Sequence, residues 1–204
     1  MTALFTLLSF SSCSVFGIQN EESPKYKVLE KKGEFEIREY SPYIIAKITV
    51  KGDYDESSGQ AFKILAGYIF GKNKGENKIS MTSPVLMKNE PQKIAMTSPV
   101  VMNQTEDSFS MTFSMPSKYT LENLPEPLDN RIKFEKVEAQ IIASHRFSWF
   151  SSKKKNRKKA KELRDWLTNF KNYKANEGHS FAGYNPPWTL PFLKRNEVHI
   201  RLSK

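Results

Sequence analysis

The chain has 204 residues, of which 38% are hydrophobic and 12% aromatic, enough for a globular core and too apolar for wholesale disorder. Its 32 basic and 22 acidic residues give a formal net charge of +10. This charge favours anionic partners but does not indicate which ones. The single cysteine, Cys13, excludes an intramolecular disulfide and a zinc-thiolate cluster.

The N-terminal segment has the pattern of a targeting signal. Residues 1–12 are uncharged, mostly apolar and followed at once by Cys13, as in bacterial lipoprotein signals, where cleavage exposes the cysteine for acylation. The run is too short to span a bilayer core of about 30 Å as a helix. We therefore interpret residues 1–12 as a signal peptide, 13–24 as a lipid-anchored tether and 25–204 as the folded domain. This predicts a cell-envelope location on the periplasmic or outer face; a secreted or soluble periplasmic protein is the alternative.

The rest of the chain reads as two related halves. In the first half, alternating patterns predict strands over 26–29, 35–40 and 43–50, followed by a helix. The second half repeats this order with strands over 132–137 and 140–147 and another helix. The tripeptide Ile44-Ile45-Ala46 recurs as Ile141-Ile142-Ala143. The apolar helix faces are predicted as Ala61, Ile64, Leu65 and Tyr68, and as Ala160, Leu163, Leu167 and Phe170.

A sharper repeat lies between the halves. KISMTSPVLM at 78–87 returns as KIAMTSPVVM at 93–102, and a strand over 109–115 follows. Pro84 and Pro99 cannot donate to a β-ladder, so each copy is expected at an edge, at a bulge or as two short strands. Methionine side chains suit an apolar surface that adapts to a guest, although an ordinary methionine-rich core fits the composition as well.

Together with MPSKYTLENLP at 115–125, GYNPPW at 183–188 and RNEV at 195–198, these runs resemble the SOUL family of haem-binding proteins. The resemblance spans residues 26–202. It implies an α+β fold in which two pseudo-repeated halves form a distorted antiparallel β-barrel flanked by two α-helices. It also implies binding of haem or another tetrapyrrole at an apolar surface beside the first helix.

A tetrapyrrole needs a broad apolar surface and cations for its propionates. On the first helix we predict a second apolar stripe of Phe62, Leu65 and Ile69 beside the core-facing one, with Lys63 as a propionate partner; simple packing is the alternative. Some family members use an arginine and a methionine on this helix where this chain has Gly59 and Phe62. The predicted binding residues are Phe62, Lys63, Leu65, Ile69, Met81, Met87, Met96 and Met102.

Iron ligands are less clearly indicated. His145, His179 and His199 are weak axial candidates, since each fits a hydrogen-bonded or solvated histidine as well, and the four methionines above are thioether candidates. Binding of the tetrapyrrole without an axial ligand from the protein is a further alternative.

A basic segment begins the second helix. Cations there oppose the helix macrodipole, so helix stability does not explain them. Attraction to an anionic membrane surface would explain these cations, and a solvated helix face is the alternative. No nucleic acid is expected, because no RNA-binding motif or recognition-helix pattern accompanies the charge. The cations are Lys153, Lys154, Lys155, Arg157, Lys158, Lys159 and Lys161.

Near the C-terminus, residues 184–192 contain three prolines and three aromatic residues. We predict that Trp188 and Phe192 plug one end of the barrel. Arg195 and Glu197 are placed to form an ion pair.

These features favour a non-catalytic tetrapyrrole carrier or buffer at the cell envelope. A haem-degrading enzyme is one alternative. A membrane-surface or small-molecule-sensing module without porphyrin affinity is the other. No Ser-His-Asp order, glycine-rich phosphate loop or paired-carboxylate motif points to hydrolysis or phosphoryl transfer.

Overall fold

The computed structural model describes residues 22–52, 54–90, 108–185 and 188–204. The predicted signal peptide, Cys13 and the second copy of the repeat, with Met96 and Met102, lie outside these ranges. In the described part, the chain forms α1 (Tyr54–Ile69), α2 (Lys153–Leu167) and ten strands: β1 (Tyr26–Lys32), β2 (Phe35–Tyr40), β3 (Tyr43–Lys51), β4 (Val85–Glu90), β5 (Ser108–Ser114), β6 (Lys133–Val137), β7 (Gln140–Phe147), β8 (Lys174–Ala175), β9 (Ser180–Gly183) and β10 (Asn196–Ser203). Neither helix has the length and apolar character needed to cross a bilayer.

All described strands belong to one antiparallel sheet in the order β1-β2-β7-β10-β9-β4-β5-β3-β6, with the short β8 also paired to β10. The sheet curls into a half-barrel, and α1 and α2 pack on its outer face. The predicted α+β fold with two flanking helices is confirmed.

The pairing pattern shows the duplication directly. The units β3-α1-β4-β5 and β7-α2-β9-β10 meet where β4 pairs with β9, with Val85 opposite Gly183. The strand before each unit pairs with the other unit, β2 with β7 and β6 with β3. The repeated Ile-Ile-Ala tripeptides lie in β3 and β7, so the two predicted halves are structural repeats.

Side-chain alternation separates two faces of the sheet. Toward α1, β3 presents Ala46 and Ile48, and β5 presents Met111 and Phe113, in one buried cluster. Toward α2, a second cluster includes Ile200 of β10. The opposite, concave face carries the polar and charged side chains described below together with a few apolar ones, such as Ile45 and Ile142.

The first copy of the repeat is extended only in part. β4 begins at Val85, after a cis Ser83–Pro84 peptide bond, and it pairs on both sides with β5 and β9. The edge-strand alternative is therefore wrong for this copy. Pro84 is tolerated because it precedes the ladder and no strand hydrogen bond is required of it.

The predicted aromatic plug is also wrong. Trp188 is 66% exposed and Phe192 is 58% exposed, so neither fills the half-barrel. The physical reason is the position of segment 188–193, which ends in a short 3-10 helix over Pro191–Leu193. The Trp149 N–H fixes this segment by donating to the Pro191 carbonyl oxygen at 2.8 Å. That bond holds the loop beside the segment before α2 and leaves its aromatic side chains in solvent.

Candidate functional site

Helix α1 packs on the sheet through one continuous stripe of buried, mostly apolar side chains. Ala61, Leu65, Tyr68 and Ile69 follow the i, i+4, i+7, i+8 spacing of a helix face, and each is at most 1% exposed. The predicted second stripe is therefore wrong in part, because Leu65 and Ile69 lie in the core stripe. Both side chains lie beneath the surface in the core cluster.

A different group lies at the margin of this core, and we call it the α1 rim: Gly59, Phe62, Lys63, Met81 and Met87. Phe62 is half-buried, with its ring 5.7 Å from that of Phe113 in an edge-on contact. Lys63 is exposed, and a Cβ built on Gly59 meets nothing within 4 Å. This side of α1 is therefore open above a glycine and bordered by an aromatic ring and a cation.

Met81 and Met87 are half-buried and pack against the same core cluster as Phe62. Met87 also contacts the cluster formed by Phe147, Phe181 and Val198, so it bridges the two units. Three of the predicted residues, Phe62, Met81 and Met87, therefore pack against the α1 core, and exposed Lys63 follows Phe62 on the helix.

The three histidines lie in the second half of the fold, on or next to β7, β9 and β10. His145 is buried against Phe35, with ring centroids 4.1 Å apart, and burial lowers its pKa. The pKa of half-buried His179 is also lowered, by burial and then by Arg164 and Arg157. His199 lies inside the half-barrel, its Nε2 2.8 Å from Glu197 Oε2.

The interior of the half-barrel contains a buried ionic network. Glu197 has no exposed surface and accepts two hydrogen bonds from Arg38 at 2.6 and 3.1 Å. It accepts one more from Tyr184 Oη at 2.9 Å and two from Arg195, from Nε at 2.9 Å and from Nη2 at 2.7 Å. Burial opposes ionisation, but the hydrogen bonds and charges of His199 and Arg38 hold the pKa of Glu197 well below its usual value. The predicted Arg195–Glu197 ion pair is confirmed.

A cavity of about 310 Å³ lies beside this network on the concave face, lined in part by Tyr40, Thr112, His199 and Arg201. The hydroxyl oxygens of Thr112 and Ser144 are buried without a hydrogen-bond partner in the described structure. This polar interior was not predicted from the sequence. The sequence pattern that indicates it is an alternation with a period of two. In β2, Glu36, Arg38 and Tyr40 alternate with the apolar positions that face α2. In β10, Glu197, His199 and Arg201 alternate with apolar positions in the same way.

The basic segment occupies the first turns of α2. Ser152 caps the helix, its Oγ accepting from the Lys155 N–H at 3.2 Å. Lys159 pairs with Glu162 at 2.8 Å and Lys161 with Asp165 at 3.2 Å. Lys153, Lys154, Arg157 and Lys158 have no carboxylate within 4 Å among the described residues, so most of the segment's charge is uncompensated.

The duplicated units, the shared half-barrel and the helix on each unit define a class of α+β proteins with internal pseudo-twofold symmetry. Within that class the chain belongs to the SOUL family: the family model, described as "SOUL heme-binding protein", matches residues 21–201.

Relatives of similar length support this assignment. "Heme-binding protein 2" of Homo sapiens is 30% identical over 187 residues, covering 89% of this chain and 86% of that protein. "Heme-binding protein 1" of Xenopus laevis is 29% identical over 184 residues, covering 89% and 91%. Among solved structures, the EcmrR C-terminal domain superposes with a TM-score of 0.59 at 10% identity, covering 88% of this chain and 98% of that one. This last likeness concerns the fold alone.

Proposed function

We propose that this chain binds haem or a related tetrapyrrole at the α1 rim and acts as a non-catalytic carrier or buffer. The family and the names of the relatives support the ligand class. The observation that carries the choice of site is the open surface at Gly59, beside half-buried Phe62 and exposed Lys63.

The α1 rim fits the chemistry of such a ligand. A macrocycle gains most of its affinity from burying its flat apolar faces, and the Phe62 ring and the uncovered backbone at Gly59 offer such a surface. Lys63 would pair with a propionate. The thioethers of Met81 and Met87, which pack at the margin of this core, are soft axial-ligand candidates. Leu65 and Ile69 would hold Phe62 in place from below.

Titration of hemin into the full chain tests the proposal. We expect a red-shifted Soret band that saturates near one equivalent. Phe62→Asp should weaken binding by at least about tenfold, because a buried phenyl contact is worth about 1.5–3 kcal/mol. Lys63→Glu should weaken it less. Lys133→Glu, an exposed change on β6, is the control. Linear, unsaturable absorbance would contradict the proposal.

The carrier role has its own test. With hemin, a reductant and air, a carrier should leave the Soret band no less stable than an inert haem-binding protein does. Faster bleaching with a defined linear product would instead show a haem-degrading enzyme.

We further propose that the protein is held at the cell envelope through lipidation of Cys13, with the basic segment facing anionic headgroups. The sequence pattern around Cys13 and the uncompensated charge of α2 support this proposal. Cys13→Ser should move the protein from the membrane to the soluble fraction. An unchanged distribution would argue against lipid anchoring.

A further inference from the structure

Four large aromatic side chains form an exposed patch beside the basic segment. Trp149 is 56% exposed and Phe150 63%, while Trp188 and Phe192 are exposed as given above. We call these four residues the aromatic patch. Single exposed apolar residues are common, but a group of four on two adjoining loops marks a surface with a partner.

The two loops are fixed to each other. Besides the Trp149–Pro191 backbone bond, Asn196 Nδ2 donates to the Trp149 carbonyl oxygen at 2.6 Å, and Lys194 Nζ lies 5.1 Å from the centre of the Phe150 ring. Trp149 has φ of 73°, a left-handed backbone conformation that is unfavourable for a bulky residue. The fold therefore holds an exposed tryptophan in a strained conformation.

Cations surround the aromatic patch. Arg146, Lys155, Lys159 and Lys194 line a groove of about 710 Å³ together with Phe192. The groove also contains Glu34, whose Oε2 lies 3.9 Å from Arg146 Nε, and Glu162 pairs with Lys159. Lys155 Nζ donates to the carbonyl oxygens of Ser148 and Phe150, which joins the α2 N-terminus to the patch.

We infer that the aromatic patch and the basic segment together form a docking surface for an anionic lipid bilayer. Tryptophan and phenylalanine partition into the membrane interface while lysine and arginine bind the surrounding phosphates and carboxylates. The cations along residues 153–161 are more than the two propionates of one tetrapyrrole require. The inference extends the membrane contact of the proposed function and is independent of tetrapyrrole binding.

The test uses the full chain with Cys13→Ser, so that no acyl chain contributes. It is mixed with vesicles of phosphatidylcholine alone or with about a third phosphatidylserine, and bound protein is measured by sedimentation. We expect binding to the anionic vesicles only, reduced at least about tenfold in 0.5 M salt because screening shortens the range of the attraction.

Paired variants separate the two components. Trp149→Ser with Phe150→Ser, and Lys154→Gln with Lys158→Gln, should each reduce vesicle binding by about tenfold. The matched controls are Leu128→Ser, which changes a side chain as exposed as Trp188, and Lys27→Gln with Lys133→Gln on the edge strands; both should bind like the parent. Circular dichroism checks that each variant folds.

Tryptophan fluorescence reports insertion. The chain has three tryptophans, and Trp166, which lies on α2, is buried in the core cluster between this helix and the sheet. Vesicles should shift the parent emission to the blue, and brominated lipid should quench it. Trp149→Phe with Trp188→Phe, which leaves Trp166 alone, should still bind but lose the quenching.

Three results would overturn the inference: no binding to anionic vesicles, binding that the Trp149→Ser, Phe150→Ser variant does not reduce, or a lipid-free dimer that this variant abolishes. The last result would make the patch a self-association surface. Hemin titration of the same variants should match the parent, so failure of the docking surface and failure of tetrapyrrole binding remain distinguishable.

Discussion

Glu197 shows how the half-barrel tolerates charge in its interior. An unpaired carboxylate in such a place would be very costly, and the structure offsets this with two arginines, a histidine and a tyrosine hydroxyl. Arg38 is itself 2% exposed and also bonds Glu36. The network joins β2 to β10 with β7 between them, so it depends on the assembled sheet.

Arg38→Met should lower the free energy of unfolding by about 3–5 kcal/mol, because it removes two hydrogen bonds and a charge from a buried carboxylate. Urea denaturation followed by circular dichroism measures the loss. The control is Arg131→Met, which breaks a surface pair with Asp129 that solvent screens, and its effect should be much smaller. Equal losses in the two variants would mean that burial adds nothing to the Arg38 contact.

The depressed pKa of Glu197 also predicts a pH dependence. A carboxyl whose pKa is lower in the folded state contributes stability above its usual pKa of 4.5, and that contribution is lost as the pH falls through the folded value. The free energy of unfolding should therefore fall below pH 4.5 more steeply in the parent than in Glu197→Gln. Identical pH profiles, measured by urea titration at each pH, would show that Glu197 does not carry this dependence.

The helices and strands show what could be predicted and what could not. Periodicity placed α1, α2, β2, β3 and β7 well, because each element has one apolar face. It placed Leu65 correctly on the core face but assigned Ile69 to a separate second stripe, whereas the core stripe of α1 is wide enough to include both. It missed the Arg38–Glu197 contact because 159 residues separate the partners and only the sheet order brings them together. Trp188 and Phe192 looked like core residues by type alone.

Helix α2 carries its charge at the wrong end for stability. Its first turn contains lysines and no acidic residue, against the helix macrodipole. Lys154→Glu should therefore raise the free energy of unfolding by about 0.3–1 kcal/mol while weakening binding to anionic vesicles. Lys133→Glu on β6, away from any helix terminus, should do neither. A less stable Lys154→Glu protein would show that the lysine makes a favourable local contact.

Across the molecule, the strand pairing makes the two units depend on each other. β6 precedes the second unit in the chain but pairs with β3 of the first, and β2 precedes the first unit but pairs with β7 of the second. The β4–β9 ladder joins the two units. Met87 packs into the cores of both units. Neither unit keeps its edges covered when the other is removed, so the duplication does not yield two independent domains.

This interdependence predicts one cooperative unfolding transition. In the Trp149→Phe, Trp188→Phe variant, far-UV circular dichroism, which reports both units, and the fluorescence of buried Trp166, which reports the second, should give the same urea midpoint. Cutting the chain between residues 131 and 132 should leave each fragment unfolded alone, because each loses its partner strands and part of its core. Mixed at equal concentrations, the fragments should refold together and recover the Trp166 emission. A fragment that unfolds cooperatively by itself would show that its unit is stable without the shared sheet.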